Sequence, residues 1–471
     1  MRLSQNRRRL LAAWLLLAAG CHPRPIVPPT VWPPITLTPD DRILILAPHP
    51  DDEVLGCAGI IQQAVALRLP LRIAFLTDGD NNEWSFLVYR KHFVVRRAAL
   101  QRMGLVRADE AIAAARVLGV APEQLTFLGY PDFGTLKMWK SHWGDRPPFQ
   151  SMLTRVTAVP YHNALRPGAP YTGDDILRDL TTLIRDVKPT KIFVSHPGDH
   201  APDHASLYLF TQVALWDLAG EVHPTVYPYL IHFKRWPLPR GFQPARPLEP
   251  PKLFRDQVAW RSLPLDAAAV ERKRQALLAH ATQYHSSARY LLSFIRPNEL
   301  FGDFPAVRLR PAASAALVSR ESAGSDDGAE ELTDQERAVF VGLEERTVRL
   351  DGDALVLTIT FSRPLAQAVQ ASVYVFGYRS DRRFEHMPKL HLQFSALTQR
   401  LFDQDRPLPS AGIRVSRKFR RFTIRIPLEA LGRPQRILTS ARTYLGEVPL
   451  DWTSWRVVEL TGTALQGIIE R

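Results

Sequence analysis

A short apolar run, Arg42-Ile43-Leu44-Ile45-Leu46, leads directly into Ala47-Pro48-His49-Pro50-Asp51-Asp52-Glu53. A proline-free stretch with apolar residues at helical spacing, Val54 to Leu67, follows. The run reads as a buried strand and the stretch after it as a helix. One histidine and three carboxylates therefore fall where a strand ends and a helix begins, the place where open α/β sheets hold their ligands. His49 and Asp52 are three residues apart, so both side chains can turn towards one ion, while Asp51 between them can point elsewhere. A plainer reading is that the three acids cap the helix N-terminus.

The same alternation continues downstream. Arg72 to Leu76, Leu125 to Gly129 and Lys191 to Ser195 read as strands; Ala108 to Leu118 and Ile176 to Val187 read as helices, the first ending at Gly119. Alternation of this kind predicts an α/β fold, a Rossmann-like, largely parallel sheet with helices on both faces. Two aromatic and basic stretches, Trp84 to Arg97 and Met138 to Pro170, interrupt it and read as insertions that wall a groove. Pro237 to Pro264 is proline-rich and irregular, and Asp266 to Ser286 returns to helix. Residues 306–336, rich in Ala, Ser, Gly and acids, read as a linker. Beyond it, short β-rich runs such as Ala354 to Phe361, Ala371 to Tyr378 and Lys389 to Phe394 predict a smaller all-β sandwich over residues 337–471. Phe422 to Leu431 faintly resembles β-sandwich modules that bind carbohydrate; a structural or docking role is the other reading.

The His49-to-Glu53 stretch resembles the first motif of the PIG-L/LmbE family, zinc-dependent deacetylases of N-acetylglucosaminyl groups. A second stretch, Ser195-His196-Pro197-Gly198-Asp199-His200-Ala201-Pro202-Asp203-His204, resembles that family's second motif, which ends Pro-Asp-His. Lys273 to Gln283 and Phe294 to Glu299 resemble its closing segments, so the likeness runs from about Asp41 to about Phe304. A catalytic zinc takes three protein ligands and a water. The resemblance implies that His49, Asp52 and His204 hold the zinc, that Asp51 serves as proton acceptor and donor, and that Asp203 orients a ring. The chain departs from the pattern at Ala201, where the family has a histidine that steadies the oxyanion. His200, one residue earlier, either reaches the same place or leaves the role vacant. Arg107 and Asp132 match family positions that contact the sugar; a surface ion pair and a turn carboxylate are the alternatives. Cys57 is either a further ligand or a small buried residue on the helix.

On this reading the chain is a zinc-dependent N-deacetylase acting on an N-acetylated amino sugar or glycoconjugate. Two others stay open: a glycan-binding protein without turnover, and a metal-dependent amidase acting on another N-acyl amine. With 471 residues the chain is expected to hold more than one domain, and its 45% hydrophobic content provides ample core. The formal net charge of +13 is spread along the chain, and no nucleic-acid module is visible. Residues 1–21, with Arg7-Arg8-Arg9, the apolar Leu10 to Ala19 and small residues before Cys21, resemble a bacterial lipoprotein signal. The proline-rich residues 22–40 then read as a spacer, and residues 41–305 as the deacetylase domain. The expectation is an exported, envelope-located protein held to a membrane by a lipid on Cys21.

Overall fold

Residues 32–80, 97–310, 315–321, 332–365 and 368–461 are described by a computed structural model. Residues 1–31, with Cys21 and the leader, and residues 81–96, with most of the first aromatic insertion, lie outside the described residues. From Pro34 onward the described residues belong to one compact unit.

Five parallel strands form the first sheet: β1 (Ile43–Ala47), β2 (Leu71–Thr77), β3 (Leu125–Tyr130), β4 (Lys191–Ser195) and β5 (Thr225–Tyr229), in the order β3-β2-β1-β4-β5. Every residue of β1 is buried, as a central strand covered on both faces requires. Helices α1 (Asp52–Ala66), α2 (Arg97–Val117), α4 (Gly173–Val187) and α5 (Pro202–Asp217) connect the strands; the short α3 (Thr135–Ser141) follows β3. The chain order reverses between β1 and β4. That reversal opens a crevice at the carboxyl ends of these two strands, where the loops after Ala47 and Ser195 face one another. Strand β5 escapes the sequence reading because Pro228 interrupts its apolar run; an edge strand tolerates proline where a central one does not. The expected helix from Asp266 to Ser286 is two helices, α6 (Ala267–Ala279) and α7 (Ala281–Leu291), broken at His280, whose ring turns inward. A two-stranded ribbon, β6 (Arg261–Pro264) with β7 (Asn298–Phe301), closes this half.

The β half is a sandwich. One sheet runs β16-β17-β11-β10-β9 and the other β15-β14-β13-β12-β18-β20-β8, with β19 paired to β18. The strands are β8 (Val307–Leu309), β9 (Ala316–Ser319), β10 (Leu343–Asp351), β11 (Ala354–Phe361), β12 (Val369–Tyr378), β13 (Lys389–Phe394) and β14 (Gln399–Asp403). After them come β15 (Arg406–Pro407), β16 (Arg414–Lys418), β17 (Arg421–Pro427), β18 (Arg436–Leu445), β19 (Val448–Trp452) and β20 (Arg456–Leu460). All pairings are antiparallel except β8 with β20. Two of these strands, β8 and β9, fall inside residues 306–336, where composition suggested only a linker; Val307, Leu309 and Val318 supply too few apolar positions to stand out, yet all three enter the sandwich core.

The two halves share a core. On β12, Val369, Ala371, Val373 and Val375 face the sandwich interior, while Tyr374, Phe376 and Tyr378 face the α/β half. This follows from the two-residue period of a strand. Trp139 and Trp143, from the second aromatic insertion, fill the seam. Trp139 packs on Phe210, Phe376, Phe384 and Trp455, with ring centroids 5.0 to 6.3 Å away. These tryptophans thus serve as cement between the halves, whereas the sequence reading expected the insertion to wall a groove. Polar ties reinforce the seam: the Tyr378 hydroxyl donates to Asp217 at 2.9 Å, and the Trp143 amide donates to Gln404 at 3.0 Å.

Candidate active site

The loop after β1 carries His49, Asp51 and Asp52, and the loop after β4 together with the first turn of α5 carries Asp199, His200 and His204. The strands are direct neighbours, so side chains distant in sequence meet. His49 Nδ1 lies 3.2 Å and His204 Nε2 3.1 Å from the same oxygen, Asp52 Oδ2. The two rings are 5.2 Å apart. Both ring nitrogens of His204 are buried and make no well-aligned hydrogen bond, although a carboxylate oxygen lies 3.1 Å from each. Two imidazoles converging on one carboxylate oxygen, in a buried pocket, form a donor set that fits a divalent cation such as zinc. The outer nitrogens also face carboxylates: His204 Nδ1 is 3.1 Å from Asp199, and His49 Nε2 is 3.0 Å from Asp132 and 3.3 Å from Asp203. Carboxylates in that position fix the ring orientation and raise the basicity of the other nitrogen.

Electrostatics follow the geometry. Burial alone would raise the Asp52 carboxyl, but the His204 and His49 imidazoles hold it well below the usual carboxylate range. Burial opposes charge on His204, yet Asp199 and Asp52 push it up to about 10. Asp51 differs. Burial first, then the Asp52 charge, raises it to about 7, against the pull of Arg107, His280 and His49. A buried carboxyl balanced near neutrality can both take and give a proton.

Asp51 also carries backbone strain. Its φ is 121°, a region that non-glycine residues rarely enter, at a cost on the order of 1–3 kcal/mol. The surroundings impose it. The Asp51 amide donates to Glu53 at 2.9 Å, and Glu53 is held in turn by the His280 ring at 3.0 Å. Arg107 donates to the Pro50 carbonyl at 2.8 Å and to the Gly79 carbonyl at 3.0 Å, and its guanidinium lies 3.7 Å from Asp51.

Arg107 and Asp132, read as sugar contacts, are both buried: Arg107 braces the loop that carries Asp51, and Asp132 faces His49. Asp203 meets His49 and also accepts from the Phe133 and Thr135 amides, which ties the α5 N-terminus to the loop after β3. His200 packs between Phe233 and Trp452, each 4.6 Å away, and burial, then Lys234, lowers it to about 3. The imidazole that lies against His204 is His232, at 4.7 Å; its amide donates to Asp199 at 2.9 Å. Burial first and then His204 keep His232 neutral, with its pKa down at about 4. Sequence reasoning missed His232 because it missed β5: the residue stands just past that strand's carboxyl end, as His49 does past β1. Asp199 lay within the second motif without a role. Cys57 is buried on α1, and burial followed by Glu299 pushes its thiol far up, as for an inert structural cysteine.

Gly79 offers a direct test of the bracing. A Cβ there would come within 1.8 Å of Arg107 Nη1, at a φ of +67° that disfavours any side chain. Arg107 could yield only by giving up both carbonyls it holds. Gly79→Ala is expected to destabilise the protein by about 1–3 kcal/mol, read as a lower urea midpoint, whereas alanine at the open Gly220 should change little.

A cavity of about 860 Å³ adjoins the site. Its walls come from the β4–α5 loop (Asp199, His200), from Phe233 to Leu238 and from the β19 segment that includes Trp452.

Residues 44–215 match the family model described as PIG-L: GlcNAc-PI de-N-acetylase. A putative glucosamine-6-phosphate deaminase-like protein of Bacteroides thetaiotaomicron is 22% identical over 200 residues, 35% of this chain. That match spans only 26% of the length of this relative. Among solved structures, the N,N'-diacetylchitobiose deacetylase of Pyrococcus horikoshii aligns over 52% of this chain and 70% of its own, with 19% identity and a TM-score of 0.31. The 4-carboxy-2-hydroxymuconate hydratase of Pseudomonas putida aligns over 54% and 82%, with 20% identity and a TM-score of 0.32. The stretch matched by the family model opens in β1 and ends within α5, so it contains His49, Asp51, Asp52 and His204.

Proposed function

We propose that the chain is a zinc-dependent hydrolase that removes the acetyl group from an N-acetylated amino sugar of the N-acetylglucosamine type. The observation that carries this reading is the convergence of His49 and His204 on Asp52, with the strained Asp51 beside them. His49, Asp52 and His204 would hold the metal. Zinc in that position supplies Lewis acidity towards a carbonyl oxygen and makes a water acidic enough to lose its proton near neutral pH.

The rest is the work of the chain's own residues. Asp51 accepts a proton from the attacking water as the new C–O bond forms at the amide carbon. It returns that proton to the nitrogen as the C–N bond breaks, which leaves acetate and a free amine. His232, neutral and packed against His204, takes the oxyanion-facing role for which His200 was the sequence candidate. Asp132, Asp203 and Asp199 hold the two ligand rings in place. The cavity beside the site has room for the sugar and for what is attached to it. Export and a lipid on Cys21 belong to the same proposal and rest on the leader sequence.

The protein is expected to hold one zinc per chain and to release acetate from an N-acetylglucosaminyl glycoside. His204→Ala should lose both the metal, by elemental analysis, and the acetate release. A metal-free protein that still releases acetate, or a zinc content unchanged by His204→Ala, would overturn the assignment.

A further inference from the structure

The outer face of the eight-stranded sheet has a second cavity, of about 690 Å³. Strand register explains what lines it. Arg400 on β14 pairs with Gln393 on β13, Gln393 with Ser372 on β12, and Ser372 with Arg442 on β18. Residues directly opposite each other in an antiparallel pair share a face, so these four form one row across the sheet. Val373, Leu392 and Ala441, their neighbours along the strands, point the other way, into the sandwich core. Gln370 and Tyr444, also paired across β12 and β18, lie on the same face beside the row. Lys140, from the last turn of α3, closes the cavity from the α/β side, its ammonium 5.1 Å from the Tyr374 ring centre.

The charge pattern is lopsided. Lys140, Arg400 and Arg442 line one cavity, and none of the three has an ion-pair partner among the described residues. Its single lining carboxylate, Glu447, is exposed in the turn after β18. Nearby Asp405 is engaged by Lys137 and Arg146 instead. Cations that outnumber their counter-charges repel one another, and burial followed by Arg442 and Lys137 depresses the Lys140 ammonium against a weaker pull from Asp405. An anion relieves that repulsion. The remaining lining is two tyrosines, two side-chain amides and the hydroxyls of Ser395 and Thr398, with Phe394, Gly446 and Pro449. The half-buried Tyr444 ring suits the C–H face of a sugar, and amides and hydroxyls suit sugar hydroxyls, while Tyr374 is stacked on His391. A lipid tail or an apolar peptide would find little apolar surface there.

We propose that this face is a binding site for an acidic saccharide, with a carboxylate, phosphate or sulfate of the sugar seated among Lys140, Arg400 and Arg442. The row does not stop at Arg442. Its next member is Trp452 on β19, which touches His200 and lines the cavity beside the metal ligands. Arg442 and Pro449 border both cavities. If the hydrolase reading holds, a glycan lying along this row extends towards Asp51; binding itself does not depend on that reading.

Titration calorimetry on the full chain provides the test, because it reads binding without turnover. The probes are a hexagalacturonate and a heparin hexasaccharide, with maltohexaose and hexaglutamate as controls. At least one acidic hexasaccharide should bind, and both controls should bind about tenfold more weakly or not at all. Arg400→Gln and Lys140→Met should each weaken the acidic sugar by about tenfold with the unfolding midpoint unchanged. Arg400 lies on a partly exposed strand, so its loss does not threaten folding. Binding of neither acidic sugar, wild-type affinity retained in both variants, or hexaglutamate binding as tightly as the sugars would each overturn the proposal.

Discussion

Asp51→Asn is expected to lower amide hydrolysis by about 10²–10⁴-fold, with zinc content unchanged. The substitution preserves shape and removes only the proton acceptor. It is also tolerated by the backbone, since asparagine enters the positive-φ region as readily as aspartate. The Asp51 amide keeps its bond to Glu53, so the loop has no reason to move. The wild-type pH profile should show the same group. An acid must be ionised to act as a base, and burial with Asp52 raises this one to about 7, so kcat/KM should rise with pH up to about neutrality. A bound cation would pull that rise to lower pH. The asparagine variant should lack the rising limb altogether. Residual hydrolysis within about threefold of wild type would remove Asp51 from the mechanism, since a general base contributes far more than that.

Trp139→Ala should cost about 3–5 kcal/mol of stability. The side chain is fully buried and touches both halves: Phe210 on the α/β side, and Phe376, Phe384 and Trp455 on the sandwich side. Its loss leaves a cavity walled by stiff aromatic rings that cannot collapse into it. Urea unfolding would show the change as a drop in midpoint. Leu397→Ser, at an exposed turn, provides the comparison and should have little effect. A loss for Trp139→Ala below about 1 kcal/mol would mean that the seam is held by something other than this packing.

Much of the α/β half was legible because its signals are local. β1 and β4 are continuous apolar runs, and their ends carry polar residues that a buried strand would not otherwise bear. The cluster of His49, Asp52 and His204 could be assembled from two motifs plus the rule that sites gather at strand ends. What was not legible depends on three-dimensional neighbours. His232 is invisible without β5, and β5 is masked by Pro228. Arg107 looks like any helix arginine until Gly79 and Pro50 are seen beside it. Glu53 reads as a helix-capping acid, yet its partner, His280, is 227 residues away. The sandwich was harder still. β14 and β16 carry Arg400, Arg414, Arg417 and Lys418, and such charged, half-exposed strands give a weak alternating signal.

The placement of the proposed ligands past the ends of adjoining strands has a consequence for the metal-free protein. Neighbouring strands lie about 4.8 Å apart, and the ladder between β1 and β4 sets how far the two histidines can stray. Their approach is therefore settled when the sheet forms, before any cation arrives. On the proposed reading the polypeptide builds the chelate and the ion merely occupies it, the reverse of a zinc finger, whose fold waits for its metal.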